Sequence, residues 1–177
     1  MVLPLRFAGD PILYKKTKDI PPKEIKSAKI QAFLRDLGET ISHYRHAAGL
    51  AAPQVGKNLR IFALKLDKKS MSFIDSVPNQ FAIPANEPFF FINPKLTFPD
   101  PTTESMGEGC LSIPYYHVFV ERYVKAHVSA YTQAGTPFSF TATGIFARYI
   151  QHEVDHLNGI LTFHRVKSPE DIIFDAS

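Results

Sequence analysis

The stretch from Thr143 to Gly159 limits what this chain can fold into more than any other. After Thr143-Gly144 the residues Ile145, Phe146, Tyr149, Ile150 and Leu157 recur at helical spacing, and Asn158-Gly159 supplies a C-terminal stop. Set inside that apolar pattern is His152-Glu153-Val154-Asp155-His156, an HExxH motif. Ile145 and Tyr149 fall on the histidine face, so other elements must cover this helix. Two imidazoles and a carboxylate buried with it are costly unless paired or ligated. His152 and His156 share one helical face, where they can reach one metal ion or simply cap or pack, while Glu153, about 100° round, can address a metal-bound water.

Two histidines are too few for a catalytic metal site, which takes three protein ligands and keeps one position open. The third is either a distant Glu or His, or the only thiol. Cys110 lies in Glu108-Gly109-Cys110-Leu111-Ser112, where the flanking glycine lets backbone approach closely. One cysteine in 177 residues excludes an intrachain disulfide and fits a reducing compartment. A lone thiol is either a buried apolar filler or a reactive group. His43 and His46 fall on an earlier amphipathic helix, and His117, His127 and His164 on strands or loops without a ligand pattern. All five read as solvent-facing or structural.

Elsewhere, Ile30, Phe33, Leu34, Leu37, Ile41 and Tyr44 predict an amphipathic helix within Lys23 to Ala47, between Pro21-Pro22 and Gly49. The apolar run from Leu59 to Leu66 predicts a strand. From Val77 to Pro101 lie six of the 14 prolines, so the segment reads as a loop-rich excursion with one strand around Phe89 to Ile92. This Pro- and Phe-rich stretch within residues 57–107 reads as cover for a sheet edge rather than as a rim of the cleft. After Pro114, alternation through Val118 to Ala130, a turn at Gln133 to Thr136, and Phe138 and Phe140 predict an antiparallel hairpin or meander. Ser168-Pro169-Glu170-Asp171 starts one further helical turn. The class is α+β: small antiparallel or mixed sheets around a central HExxH helix, in a single domain spanning 1–177.

Composition excludes several partners. The apolar fraction of 45% and charged fraction of 21% are globular values, and a formal charge of +3 gives no nucleic-acid signal without a localised patch. The lysines scattered from Lys15 to Lys29 read as a solvated helix face. There is no 18-residue apolar run and no basic segment followed by an apolar one at the N-terminus, so neither a membrane span nor an export signal is expected.

Three blocks in order, Gly49-Leu50-Ala51-Ala52-Pro53-Gln54-Val55-Gly56, Glu108-Gly109-Cys110-Leu111-Ser112 and Gln151-His152-Glu153-Val154-Asp155-His156-Leu157-Asn158-Gly159, resemble the peptide deformylases. Gly9-Asp10-Pro11-Ile12-Leu13 is similar to that family's entry segment, and the likeness runs from about residue 5 to residue 165. The resemblance implies that Cys110, His152 and His156 bind one divalent metal ion, Fe(II) in the native state with Zn, Ni or Co as substitutes. It implies Glu153 as acid/base, and the Gln54 amide and Leu111 backbone N–H as donors to a formyl oxygen. The implied reaction is hydrolysis of the N-formyl group of formylmethionyl nascent peptides in a cytoplasmic setting of bacterial type or in an organelle. Ala48, Gly49, Met106, Gly109, Ile145 and Tyr149 would line the substrate pocket. Glu108, otherwise a surface carboxylate, would pair with Arg122, and Gln54 would otherwise be a loop cap. Transient ribosome association accompanies such an activity, although Lys167 to Phe174 is too short and too acidic for a basic docking helix.

The chain departs from the family pattern at four positions. Ala47 replaces a glycine, Ala48 is smaller than the usual Val or Ile, Tyr149 is bulkier than the usual small residue, and His117 stands where relatives carry Arg or Tyr. The Tyr149 ring is expected to fill volume vacated at Ala48. Two other readings compete: an HExxH metallopeptidase with Glu or His as third ligand, and a non-catalytic binder of formylated N-termini.

Overall fold

The computed structural model describes residues 1–66 and 85–175. The part of the proline-rich excursion from 67 to 84 lies outside the described residues. Helix α1 spans Ala28–His43, shorter at its start than its periodicity suggests because Ser27 caps it: the Ser27 hydroxyl accepts from the Ile30 N–H. The residues ahead of the cap form a separate turn at Pro22–Glu24.

Five strands make one antiparallel sheet: β1 (Gly49–Ala51), β2 (Ile61–Lys65), β3 (Pro88–Thr97), β6 (Lys125–Tyr131) and β7 (Pro137–Thr143), in spatial order β1-β2-β3-β6-β7. Alternate residues of β2 point to opposite cores. Ile61 and Ala63 join Leu34, Leu37 and Ile41 under α1, while Phe62 and Leu64 join Phe91, Phe138, Phe140 and the helix α2 (Gly144–Leu157). Covered on both faces, β2 has no polar side to show, which is why it reads as an unbroken apolar run. Phe62 stacks on Phe91 with ring centroids 4.5 Å apart at the centre of the α2-side core.

Strand β3 runs ten residues, well beyond the four read from the sequence. Its ladder breaks between Ile92 and Lys95, and the break absorbs Pro94, which cannot donate, and Asn93, whose φ is 53°. The Asn93 amide pins the bulge by accepting from the Ile20 N–H at 2.9 Å and donating to the Ile20 carbonyl at 2.7 Å.

A second antiparallel sheet has the order β4-β5-β8, from Thr103–Cys110, Ile113–Tyr123 and Ile172–Phe174. Neither β4 nor β8 is expected from local pattern. Thr-Glu-Ser-Met-Gly-Glu-Gly-Cys has little intrinsic preference for a strand, and its pairing with β5 imposes one. Helix α2 lies between the sheets, touching β1, β2, β6 and β7 of one and β5 of the other. Among the described residues the architecture is α+β, two α-helices with antiparallel sheets, as the sequence indicates. Gly159 ends α2 at φ 75°, with the Tyr14 carbonyl oxygen only 2.6 Å from where a Cβ would stand.

Candidate metal centre

The face of α2 turned away from the phenylalanine core carries His152 and His156, with ring centroids 5.0 Å apart. The other side of the site is the end of β4, where Cys110 precedes the two-residue turn Leu111-Ser112 into β5. Cys110 Sγ lies 3.2 Å from His156 Nε2, and one ligand atom from each of Cys110, His152 and His156 falls within 4.8 Å of the other two. A soft thiolate with two imidazoles suits a borderline divalent ion. Burial alone would raise the Cys110 thiol, but His156 and His152 outweigh it and hold it well below its ordinary range. His152 is pulled the opposite way: burial lowers it, and Cys110 and Glu108 lift it well above its ordinary value. A thiolate and a carboxylate that draw a proton onto an imidazole also draw a cation, so the donor set fits the metal.

Glu108 holds His152. Its Oε2 lies 2.8 Å from His152 Nδ1, which directs Nε2 toward the ligand cluster. The same carboxylate accepts both Nε and a terminal nitrogen of Arg122 at 2.9 Å, and Arg148 at 2.9 Å. Burial pushes the Glu108 carboxyl up, but His152 and Arg122 more than reverse this and keep it well below the usual carboxylate range. Arg122 continues to Asp155, and Asp155 accepts Arg165 at 3.0 Å, so a run of alternating charge leads from His152 through buried Glu108, Arg122 and Asp155 to the exposed Arg165. Arg148 also donates to the carbonyls of Val120 at 2.8 Å and Glu104 at 2.6 Å. Removing one partner from such a network costs about 3–5 kcal/mol, because a buried charge is left uncompensated. His156 Nδ1 is buried with no hydrogen-bond partner, so of the two histidines only His152 is oriented through a carboxylate.

Glu153 is 4% exposed, its Oε2 finds no hydrogen-bond partner, and burial pushes its carboxyl up to about 7 against the opposing pull of His152 and His156. A Cβ at Gly49 would lie 2.1 Å from Glu153 Oε1, so only glycine leaves room for this carboxylate. Gln54, 2% exposed, does two things. Its Oε1 caps the Ala51 N–H at 2.8 Å, and its Nε2 points at Ser112 Oγ, 3.2 Å, and Cys110 Sγ, 3.6 Å. The cap therefore aims the amide nitrogen into the site.

A cavity of about 600 Å³ opens onto these groups, lined by Ala48, Gly49, Gln54, Gly109, Cys110, Leu111, Ile145 and Tyr149 among others. Met106 does not belong with them. It stands two residues before Glu108 on the same face of β4, beyond the cavity wall, and is 36% exposed. His46 and His117, read from sequence as merely solvent-facing or structural, border the cavity. Sequence reasoning also passed over Arg148, Ser112, Asp155 and Arg165. For Arg148 a signal existed: a cation one helical turn before His152 in an apolar helix. Arg165 meets Asp155 only through the path of the tail, which no local pattern encodes.

The family model described as polypeptide deformylase matches residues 2–171. Peptide deformylase 1 of Nitrosomonas europaea is 35% identical over 164 residues, covering 91% of this chain and 85% of the relative. The chloroplastic/mitochondrial peptide deformylase 1A of Arabidopsis thaliana is 34% identical over 158 residues and 87% of this chain, which spans only 57% of that relative's length. The crystal structure of the peptide deformylase from Thermotoga maritima superposes with a TM-score of 0.79 at 32% identity, covering 95% of this chain and 99% of that one.

Proposed function

Because the chain belongs to the polypeptide deformylase family, we propose that it is a metal-dependent hydrolase that removes the formyl group from the N-terminal formylmethionine of nascent peptides and releases formate. The observation that carries this reading is the convergence of Cys110, His152 and His156 beside the buried Glu153 carboxylate. These three side chains would hold one divalent ion, Fe(II) natively, with Zn, Ni or Co accepted by the same donors. When bound, the ion acts as a Lewis acid and acidifies a water.

Glu153 takes a proton from the attacking water and returns it to the leaving amine, a task suited to a carboxyl raised to about 7. Gln54 Nε2 and the Leu111 N–H donate to the formyl oxygen as charge develops there. Gly49 leaves the space in which Glu153 works. Gly49→Ala is therefore expected to retain metal while kcat falls by about a hundredfold, because the carboxylate must move by about 1 Å or more. Unchanged kcat with full metal content would show that the close approach has no catalytic consequence.

The methionine side chain would sit among Ala48, Ile145 and Tyr149, which line one cavity. With Ala at position 48, the Tyr149 ring takes the place of a larger aliphatic neighbour. Tyr149→Ala should raise the relative kcat/KM for formyl-Phe over formyl-Met and formyl-norleucine peptides; identical preferences before and after would remove Tyr149 from the pocket. Anaerobic, Fe(II)-loaded protein should release formate from formyl-Met-Ala. Cleavage of an internal peptide bond instead would favour the metallopeptidase reading, and tight binding without product the binder. The cytoplasm of a bacterial-type cell is the setting we propose, with transient contact at the ribosome where nascent chains emerge.

A further inference from the structure

The cavity extends past the groups assigned to formylmethionine to Tyr115, Tyr116 and His117 of β5 and to Asp175, the residue that follows β8. β8 pairs with β5 in the register Tyr116↔Phe174, His117↔Ile173, Val118↔Ile172. One residue further, the Asp175 N–H donates to the Tyr115 carbonyl at 2.7 Å. This bond fixes Tyr115 at φ 68°, a left-handed conformation that a residue of this size adopts only when its surroundings hold it there. The Asp175 carboxylate lies 3.8 Å from His117 Nδ1, and both side chains are partly exposed, 44% and 54%. His117 in turn faces Gly109 across the β4–β5 ladder, and its Nε2 would be 3.4 Å from a Cβ at Gly109, the residue before Cys110. His117 therefore stands on the cavity wall between Asp175 and the strand that carries Cys110.

At the mouth of that wall the carboxylate is Asp175, whereas Glu108, deeper in, is matched by Arg122 and Arg148. Among the described residues that line the cavity, the carboxylates are Glu108 and Glu153 at the metal centre and Asp175 at the mouth. Arg148, the lining arginine, is buried against Glu108 and two carbonyls and so does not offset Asp175. An extended peptide advances about 3.3 Å per residue, so the residues just downstream of formylmethionine would pass this rim. We propose that Asp175, seated by β8 beside His117, forms an acidic outer subsite that favours substrates with a lysine or arginine shortly after the formylmethionine. This inference rests on the deformylase reading.

The test compares kcat/KM for formyl-Met-Lys-Ala with formyl-Met-Glu-Ala, and formyl-Met-Ala-Lys with formyl-Met-Ala-Glu, all amidated at the C-terminus and assayed at low salt with metal-loaded protein. Lysine should be preferred by about three- to tenfold in at least one pair, the range of an exposed ion pair gained against one repelled. The preference should shrink at high salt. Asp175→Asn should bring the ratio to near one, and Asp175→Lys should invert it. Equal rates for lysine and glutamate at both positions in the wild-type protein, or a preference that survives Asp175→Asn, would overturn the acidic subsite while formate release still supported the deformylase reading. No formate from any peptide, formyl-Met-Ala included, would overturn both.

Discussion

Replacing Glu153 by alanine is expected to leave the metal in place and to lower kcat by about 10²- to 10⁴-fold, the range that a positioned acid/base contributes. The carboxylate is not one of the three converging ligand atoms, so its loss should not empty the site. It is fully buried, one of its oxygens has no hydrogen-bond partner, and burial holds its carboxyl near 7, where taking and giving a proton are both accessible. The stability of the variant separates a catalytic role from a structural one. An unpartnered buried carboxyl is a cost to the folded state, so Glu153→Ala should melt no lower than the parent, whereas removal of a structural group lowers Tm. Metal analysis, kcat and a thermal melt on the same preparation check all three parts. A normal kcat would defeat the acid/base assignment.

Cys110→Ser should behave differently, with metal content and activity falling together. A serine hydroxyl stays protonated where the thiol is held well below its ordinary range, so the substitution removes an anionic, polarisable donor from between His152 and His156. The affinity for Zn or Co, measured by competition with a chelator, should drop on the order of a hundredfold or more, beyond the loss usual for a residue that only supports a ligand. A serine variant that keeps both metal and full turnover would return Cys110 to the role of core filler.

Much of this site was legible because its parts are local. HExxH places two histidines one helical turn apart whatever surrounds them, and the pattern from Ile145 to Leu157 announces the helix that carries them. The α1 periodicity was equally clear, but both ends were misplaced: the Ser27 cap outranks the apolar spacing upstream, and extended backbone at Tyr44 ends the helix at His43, leaving His46 outside it. Strand β4 was not legible. Its glycines, serine and glutamates hold an extended conformation only because β5 lies alongside, and the hairpin so formed delivers Cys110 to the histidines. Pro94 argued against a strand that exists, because the bulge at Asn93 accommodates it. The family resemblance places Met106 in the pocket, but a strand carries alternate residues along a line, and two positions before Glu108 it lies outside the cavity lining. The Asp175 rim depends on where a tail of little local character comes to rest, a question settled by pairing with β5.

The run of charges from His152 through Glu108, Arg122 and Asp155 to Arg165 also sets how this protein can change. Glu108 is shared among His152, Arg122 and Arg148, and Asp155 between Arg122 and Arg165, so no member has an interaction of its own to lose. The effects of substituting two that share a partner, such as Arg122 and Arg148 on Glu108, are expected not to sum. Through these shared partners the tail that carries Arg165 is coupled to the helix that carries His152 and His156.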